Sequence, residues 1–212
     1  WKAVCAALRR LTREGGFAPK QIAGIGVDGQ SWSAIAVGGD GSVLCPTPIW
    51  MDTRAASICE ELRCTVGEER LFSVSGNPLS PSYTLPKVLW YREQLPDVYE
   101  KTDKILQSNS FIAFRLTGEM TQDPSQGYGW ACWDMARGAW DESLCRDLGL
   151  RPSLLPAIAP CSAVIGKVTA KAAAQTGLPE GIPVVAGGLD AACGTLGAGV
   201  VHPGETQEQG GQ

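Results

Sequence analysis

Apolar residues recur along the first stretch at Trp1, Val4, Cys5, Leu8 and Leu11, a spacing that lays one hydrophobic stripe along a helix. Arg9, Arg10 and Arg13 fall between them as a solvated face, and Gly15 and Gly16 close the element. The run Gln21 to Asp28, QIAGIGVD, then reads as a buried strand. Ser33 to Val37 and Ser42 to Cys45 follow as two more strands. Gly38, Gly39, Asp40 and Gly41 between them signal a hairpin, because glycine and aspartate tolerate positive φ. Pro48 to Asp52 reads as a further short strand. Strands in this succession predict a mixed sheet rather than a simple doubly wound one.

From Thr53 the period changes. Ala55, Ile58, Cys59 and Leu62 line one helical face, with Glu60, Glu61 and Arg63 on the other. Helices are expected through the middle: Thr84 to Gln94, Ser110 to Leu116 with Gly118 as its stop, and Asp141 to Leu148. The pattern then returns to strand at Ala163 to Val168, to a short helix from Thr169 to Thr176, and to a strand from Ile182 to Ala186. That last strand runs straight into glycines. The fold class expected is α/β.

Length and charge narrow the function. With 212 residues, 44% of them hydrophobic, the chain can bury one large core. A formal charge of −4 with no long basic block gives no footprint for nucleic acid or an anionic membrane. The apolar runs are far shorter than a membrane span, and nothing at the start reads as a signal peptide, so a cytoplasmic protein is expected. The eight cysteines are scattered, without a CxxC or metal spacing, and read as reduced thiols. Both ends read as cut from something larger. The chain starts at Trp1 inside a helical pattern and stops at Gln209 to Gln212, in what looks like a turn.

The densest chemical signal is Val184 to Gly199, VVAGGLDAACGTLGAG. A buried strand delivers two glycines, which admit a close backbone or ligand, and then the carboxylate of Asp190 at the start of a helix of small residues. An aspartate there is a catalytic candidate or a plain helix cap, and the two roles are compatible. Gly24, Gly26 and Gly29 match GxGxxG, yet they lie within a strand followed by another strand, so the dinucleotide context is absent. No glycine-rich turn carries a phosphate-loop lysine. His202, beside Pro203 and Gly204, reads as a connector residue.

Four separated stretches carry a resemblance: Ile25 to Gln30 (IGVDGQ), Trp50 to Arg54 (WMDTR), Leu116 to Ser125 (LTGEMTQDPS) and Gly187 to Gly199 (GGLDAACGTLGAG), with Pro86 and Lys87 of TLPK also in place. In this order they resemble the amino-terminal domain of the FGGY carbohydrate kinases, most nearly the xylulokinase-like members, across nearly the whole chain. The resemblance implies an actin-like, ribonuclease H-like α/β fold, with a mixed sheet flanked by helices and both ends truncated. Residues 1–203 would belong to the amino-terminal domain, without its first phosphate-binding hairpin, and 204–212 to the start of a nucleotide-binding domain. A homodimer is compatible with that picture.

The resemblance also implies a reaction: ATP-dependent phosphorylation of a ketose or alditol hydroxyl. Asp190 would act as general base and Mg²⁺ would arrive with the nucleotide. No residue is assigned as a metal ligand. On the sugar side it points to Gln30, Ser31 and Trp32, to Ser82 and Tyr83, and to Ala191; Gly210 and Gly211 stand near the expected nucleotide phosphate loop. The sequence also departs from its relatives. Ser31 and Trp32 replace the Met-His of xylulokinases and the Arg-Glu of glycerol kinases, Ser82 replaces a glycerol kinase tyrosine, and Ala191 replaces a common amide residue. Without both phosphate loops the 212 residues alone are expected to be inactive. The competing reading is a non-catalytic sugar-binding or regulatory member of the same fold. Asp52 and Arg54 are read first as an ion pair or cap at the start of the helix from Thr53, Asp123 and Ser125 as turn and cap residues, and Trp130, Trp133 and Trp140 as packing.

Overall fold

The amphipathic first stretch forms helix α1 (Lys2–Glu14), and the computed structural model describes residues 1–208 of the chain. Gly210 and Gly211 therefore lie outside the described residues. The strand expected over 21–28 is interrupted. A single turn of 3₁₀-helix covers Pro19–Gln21, Ile25 makes one isolated bridge, and only β1 (Asp28–Gly29) is regular. β2 (Ile35–Gly38) turns back at the expected hairpin, where the Gly41 amide donates to the Gly38 carbonyl and Val43 bridges Val37.

Pro48 to Asp52 is not a strand. The segment makes a turn closed by the Asp52 amide on the Ile49 carbonyl, and the Ala34 amide, just ahead of β2, donates to the Pro48 carbonyl at 3.4 Å. Two prolines within three residues, Pro46 and Pro48, remove the amides a ladder needs.

Helices α2 (Ala56–Thr65), α3 (Glu68–Ser75), α4 (Thr84–Gln94) and α5 (Pro96–Lys101) follow. α4 is the central element: Thr84 to Leu89 and Tyr91 are buried, so both its faces meet protein. β3 (Thr102–Leu106) pairs antiparallel with β2, which places a strand in a region read only as helical. α6 (Ser108–Thr117) ends at Gly118 as expected.

Four short strands, β4 (Thr121–Gln122), β5 (Trp133–Asp134), β6 (Ala139–Trp140) and β7 (Ala157–Ile158), surround helix α7 (Glu142–Asp147). The chain closes with β8 (Val164–Lys167), α8 (Ala170–Thr176), β9 (Pro183–Val185), β10 (Gly188–Leu189) and α9 (Asp190–Gly197).

Strand pairing runs in both directions, as a mixed α/β fold requires. β1 with β10 and β4 with β7 are parallel, whereas β2–β3, β5–β6 and β8–β9 are antiparallel. Two clusters make most of the core. The larger packs α2, α4 and α7 around Trp130 and Trp133, with Trp140 edge-on to both at 5.6 and 5.2 Å, so these tryptophans are packing residues. The smaller holds α6, α8 and β9 against α1. All eight cysteines are free thiols. No helix among the described residues is long and apolar enough to cross a membrane.

Candidate active site

The site is built on the parallel pairing of β1 with β10. Asp28 stands opposite Gly188 and Gly29 opposite Leu189, so Gln30 and Asp190 leave the carboxyl ends of the two strands together. Ligands in open α/β sheets bind at such carboxyl ends. Between the Ile25–Val184 bridge and the Asp28–Gly188 pair, β1's side advances three residues and the other side four. The extra residue is a bulge at Gly187, where φ is +78° and a Cβ would lie 2.0 Å from the Val27 carbonyl oxygen. Only glycine fits there, and the bulge sets the register that brings Asp190 level with Gln30.

Asp190 is the first residue of α9, and Leu189 occupies the cap position, so Asp190 is not the helix cap. Among the described residues its Oδ1 accepts from the Ala191 amide alone, at 2.8 Å. The side chain is half-buried, neither sunk in the interior nor fully in water. Its charge is felt by Tyr128: burial pushes that phenol's pKa up, and the Asp190 carboxylate acts in the same direction.

Tyr128 was not singled out by the sequence reading. It lies in a 3₁₀ segment, Pro124–Gly129, and its hydroxyl donates to Ser31 Oγ at 3.3 Å. Trp32, Tyr83 and Tyr128 form a three-ring cluster with centroids 4.7, 5.6 and 6.0 Å apart. Ser31, Trp32 and Tyr83 are thereby brought together. Trp32 holds φ at 61°, the only non-glycine residue so placed among those described, at a cost of about 1–2 kcal/mol. Its indole lies against Gly129, where a Cβ would come within 2.5 Å.

Ser82 immediately precedes Tyr83 and contributes its carbonyl, which accepts from Lys87 Nζ at 2.5 Å. Ala191 contributes its amide to Asp190, and its carbonyl accepts from Thr195 Oγ1 at 2.9 Å. Gln30 is held through its carbonyl by Ser108 Oγ at 2.8 Å and Gln126 Nε2 at 3.3 Å.

A buried polar network ties the two strand ends together. Asp123, with no exposed surface, accepts from Asn109 Nδ2 at 2.8 Å, from the Gln126 amide at 3.2 Å and from Ser125 Oγ. Ser125 Oγ in turn accepts from the Leu189 amide at 2.8 Å, and Gln126 Nε2 reaches the Gly29 carbonyl at 3.2 Å. Asp123 is the cap the sequence suggested, and it also anchors both shoulders of the site. Asp52 and Arg54 form the expected pair, two-pronged at 2.6 and 2.9 Å, with the guanidinium 4.8 Å over Trp90.

A cavity of about 470 Å³ adjoins the β1–β10 pair, lined by Val27, Asp28, Ser125, Cys161, Gly188 and Cys193 among others. Asp190 and the three rings do not line it. His202 is exposed in the connector, as expected. Among the described residues no group of three His, Cys, Asp or Glu side chains could hold a metal ion.

A mixed α/β domain with a carboxylate at the end of a parallel strand pair defines the class. Residues 1–197 match the FGGY family of carbohydrate kinases, N-terminal domain, and the chain belongs to that family. Xylulose kinase of Bacillus subtilis (strain 168) is 31% identical over 200 residues, covering 94% of this chain and 40% of the relative. An autoinducer-2 kinase of Escherichia coli (strain SMS-3-5 / SECEC) is also 31% identical, covering all of this chain and 40% of the relative. The crystal structure of xylulose kinase from Rhodospirillum rubrum superposes with a TM-score of 0.89 at 31% identity, over 96% of this chain and 42% of that one. Glycerol kinase from Plasmodium falciparum shares the fold, with a TM-score of 0.83 at 19% identity over 94% of this chain and 40% of that one. The fold is therefore the actin-like one of this family. The chain spans about 40% of the length of the relatives it matches.

Proposed function

We propose that this chain forms the sugar side of an ATP-dependent carbohydrate kinase in which Asp190 is the general base. The observation that supports the reading is the register of β1 on β10, from whose ends Gln30 and Asp190 leave together, with the Asp190 charge acting on Tyr128, whose hydroxyl bonds Ser31. A half-exposed carboxylate with one local amide partner keeps lone pairs free to accept a proton from a sugar hydroxyl. The sugar's hydroxyl oxygen is the nucleophile, and Asp190 takes up the proton that this oxygen releases. Orientation contributes as much as basicity, because transfer through a loose transition state depends on an aligned nucleophile.

The Ser31 and Tyr128 hydroxyls offer hydrogen bonds to the other hydroxyls, and the Trp32–Tyr83–Tyr128 rings offer an apolar face to the sugar's C–H side. ATP supplies the phosphoryl group. Gly210 and Gly211, the candidates for its phosphates, lie outside the described residues. Among the described residues no cluster of three acidic, His or Cys side chains could hold Mg²⁺. A small ketose or alditol is the proposed substrate class. Two relatives at equal identity carry names with different substrates, so similarity alone does not choose between them.

The test is ATP consumption by the intact protein against a panel of pentuloses, hexuloses and alditols. One of them is expected to be phosphorylated, and Asp190→Asn is expected to lower kcat about 10²- to 10⁴-fold while the melting curve stays cooperative. Sugar binding without turnover in both proteins would establish the non-catalytic alternative.

A further inference from the structure

Lys87 has no exposed surface, and among the described residues no carboxylate is paired with it. Its ammonium has three N–H donors, and each meets a backbone carbonyl: Trp32 at 3.1 Å, Ile49 at 2.6 Å and Ser82 at 2.5 Å. The three carbonyls belong to three loops far apart in sequence. The charged groups that act on it are Asp52 and Arg54, which are already engaged with each other. A buried cation satisfied only by loop carbonyls is a poor way to fill a core, where an apolar side chain of similar volume would pack without a desolvation cost.

What the ammonium does accomplish is geometric. One bond holds the carbonyl of Trp32, the residue in the left-handed conformation, and another holds Ser82, the residue before Tyr83. Trp32 and Tyr83 are the closest pair of the three-ring cluster. Without the ammonium, the unfavourable φ of Trp32 has one restraint fewer, and relaxing it rotates both the carbonyl and the indole.

We propose that Lys87 is a positioning residue for the sugar site: its ammonium clamps the Trp32, Ile49 and Ser82 carbonyls and so fixes the aromatic wall formed by Trp32, Tyr83 and Tyr128. This rests on the reading of those rings as the sugar-facing wall. The clamp acts on sugar affinity and leaves the nucleotide side untouched.

The experiment measures KM for the sugar and for ATP separately in the intact wild-type protein and in Lys87→Met. Loss of the clamp is expected to raise the sugar KM about tenfold or more with the ATP KM within about twofold; a purely structural role would move both or neither. Should Lys87→Met fail to fold, the wild-type pH profile decides. Burial brings the Lys87 pKa down to about 8, while the Tyr83 and Tyr128 phenols are raised above their ordinary value of 10.0. The sugar KM is then expected to climb as pH rises through about 8 with the ATP KM flat. A turning-over wild type whose sugar KM is unchanged by Lys87→Met, or flat across the pH range in which Lys87 is found to titrate, overturns the clamp alone. A wild type that takes no sugar overturns the reading of the site and the clamp with it.

Discussion

The amide of Leu189, one residue before Asp190, donates to the Ser125 hydroxyl at 2.8 Å, and Ser125 in turn donates to the fully buried carboxylate of Asp123. The backbone leading into Asp190 is thus tied from outside its own helix. The carboxylate stands on α9, which has no buried residue, and the strand end just before it is held by the segment after β4.

Ser125→Ala removes the acceptor for the Leu189 amide and leaves that donor partly enclosed. On the proposed reading kcat falls about 10- to 100-fold, since a misplacement of about 1 Å at the reacting groups costs that much, with sugar KM nearly unchanged. Steady-state kinetics at saturating sugar checks this. An unaltered kcat would mean that Leu189 is held by its strand pairing alone.

Gly187→Ala places a Cβ against the Val27 carbonyl at a backbone conformation of positive φ. Neither the sheet nor the side chain can yield, so unfolding free energy is expected to fall by at least about 2 kcal/mol, read from denaturant melts. Gly39→Ala, where no atom lies within 4 Å and φ is not positive, is the control and is expected to change stability little.

Lys87 makes stability and affinity respond oppositely to pH. Its folded pKa of about 8 lies below the ordinary 10.5, so between these values the unfolded chain holds a proton that the folded chain has released. Unfolding then takes up protons, and stability contributed by this group rises with pH across that window and is flat below it. Wild type is therefore expected to gain stability relative to Lys87→Met from pH 8 to 10.5. Denaturation midpoints of both proteins at matched pH measure it, and a constant difference between them would show that the ammonium is not desolvated.

The sequence by itself determined what depends on near neighbours. The stripe of α1, the turn at Gly38 to Gly41, α4 from Thr84 to Gln94, the Asp52–Arg54 pair and the strand-to-helix junction at Asp190 were all legible, because each is set by side-chain spacing or turn chemistry within a few residues. Asp190, Ser31, Trp32 and Tyr83 were named from motifs, and the structure brings the last three together and sets Asp190 within electrostatic reach of Tyr128. Only the tertiary structure decided the rest. β3 is a strand because it pairs with β2, although its own residues include the polar Asp103 and Lys104. Pro48 to Asp52 is a turn because Pro48 and the preceding Pro46 lack the amides a ladder needs, and Tyr128 joins the cluster because folding carries it 97 positions to Ser31. Folding brings the Trp32 and Ile49 carbonyls, 55 and 38 positions away, to the Lys87 ammonium that also holds nearby Ser82. A hydrogen bond between remote segments leaves no periodicity in the chain, and neither does the desolvation of a charge, so both are visible only after the loops have met.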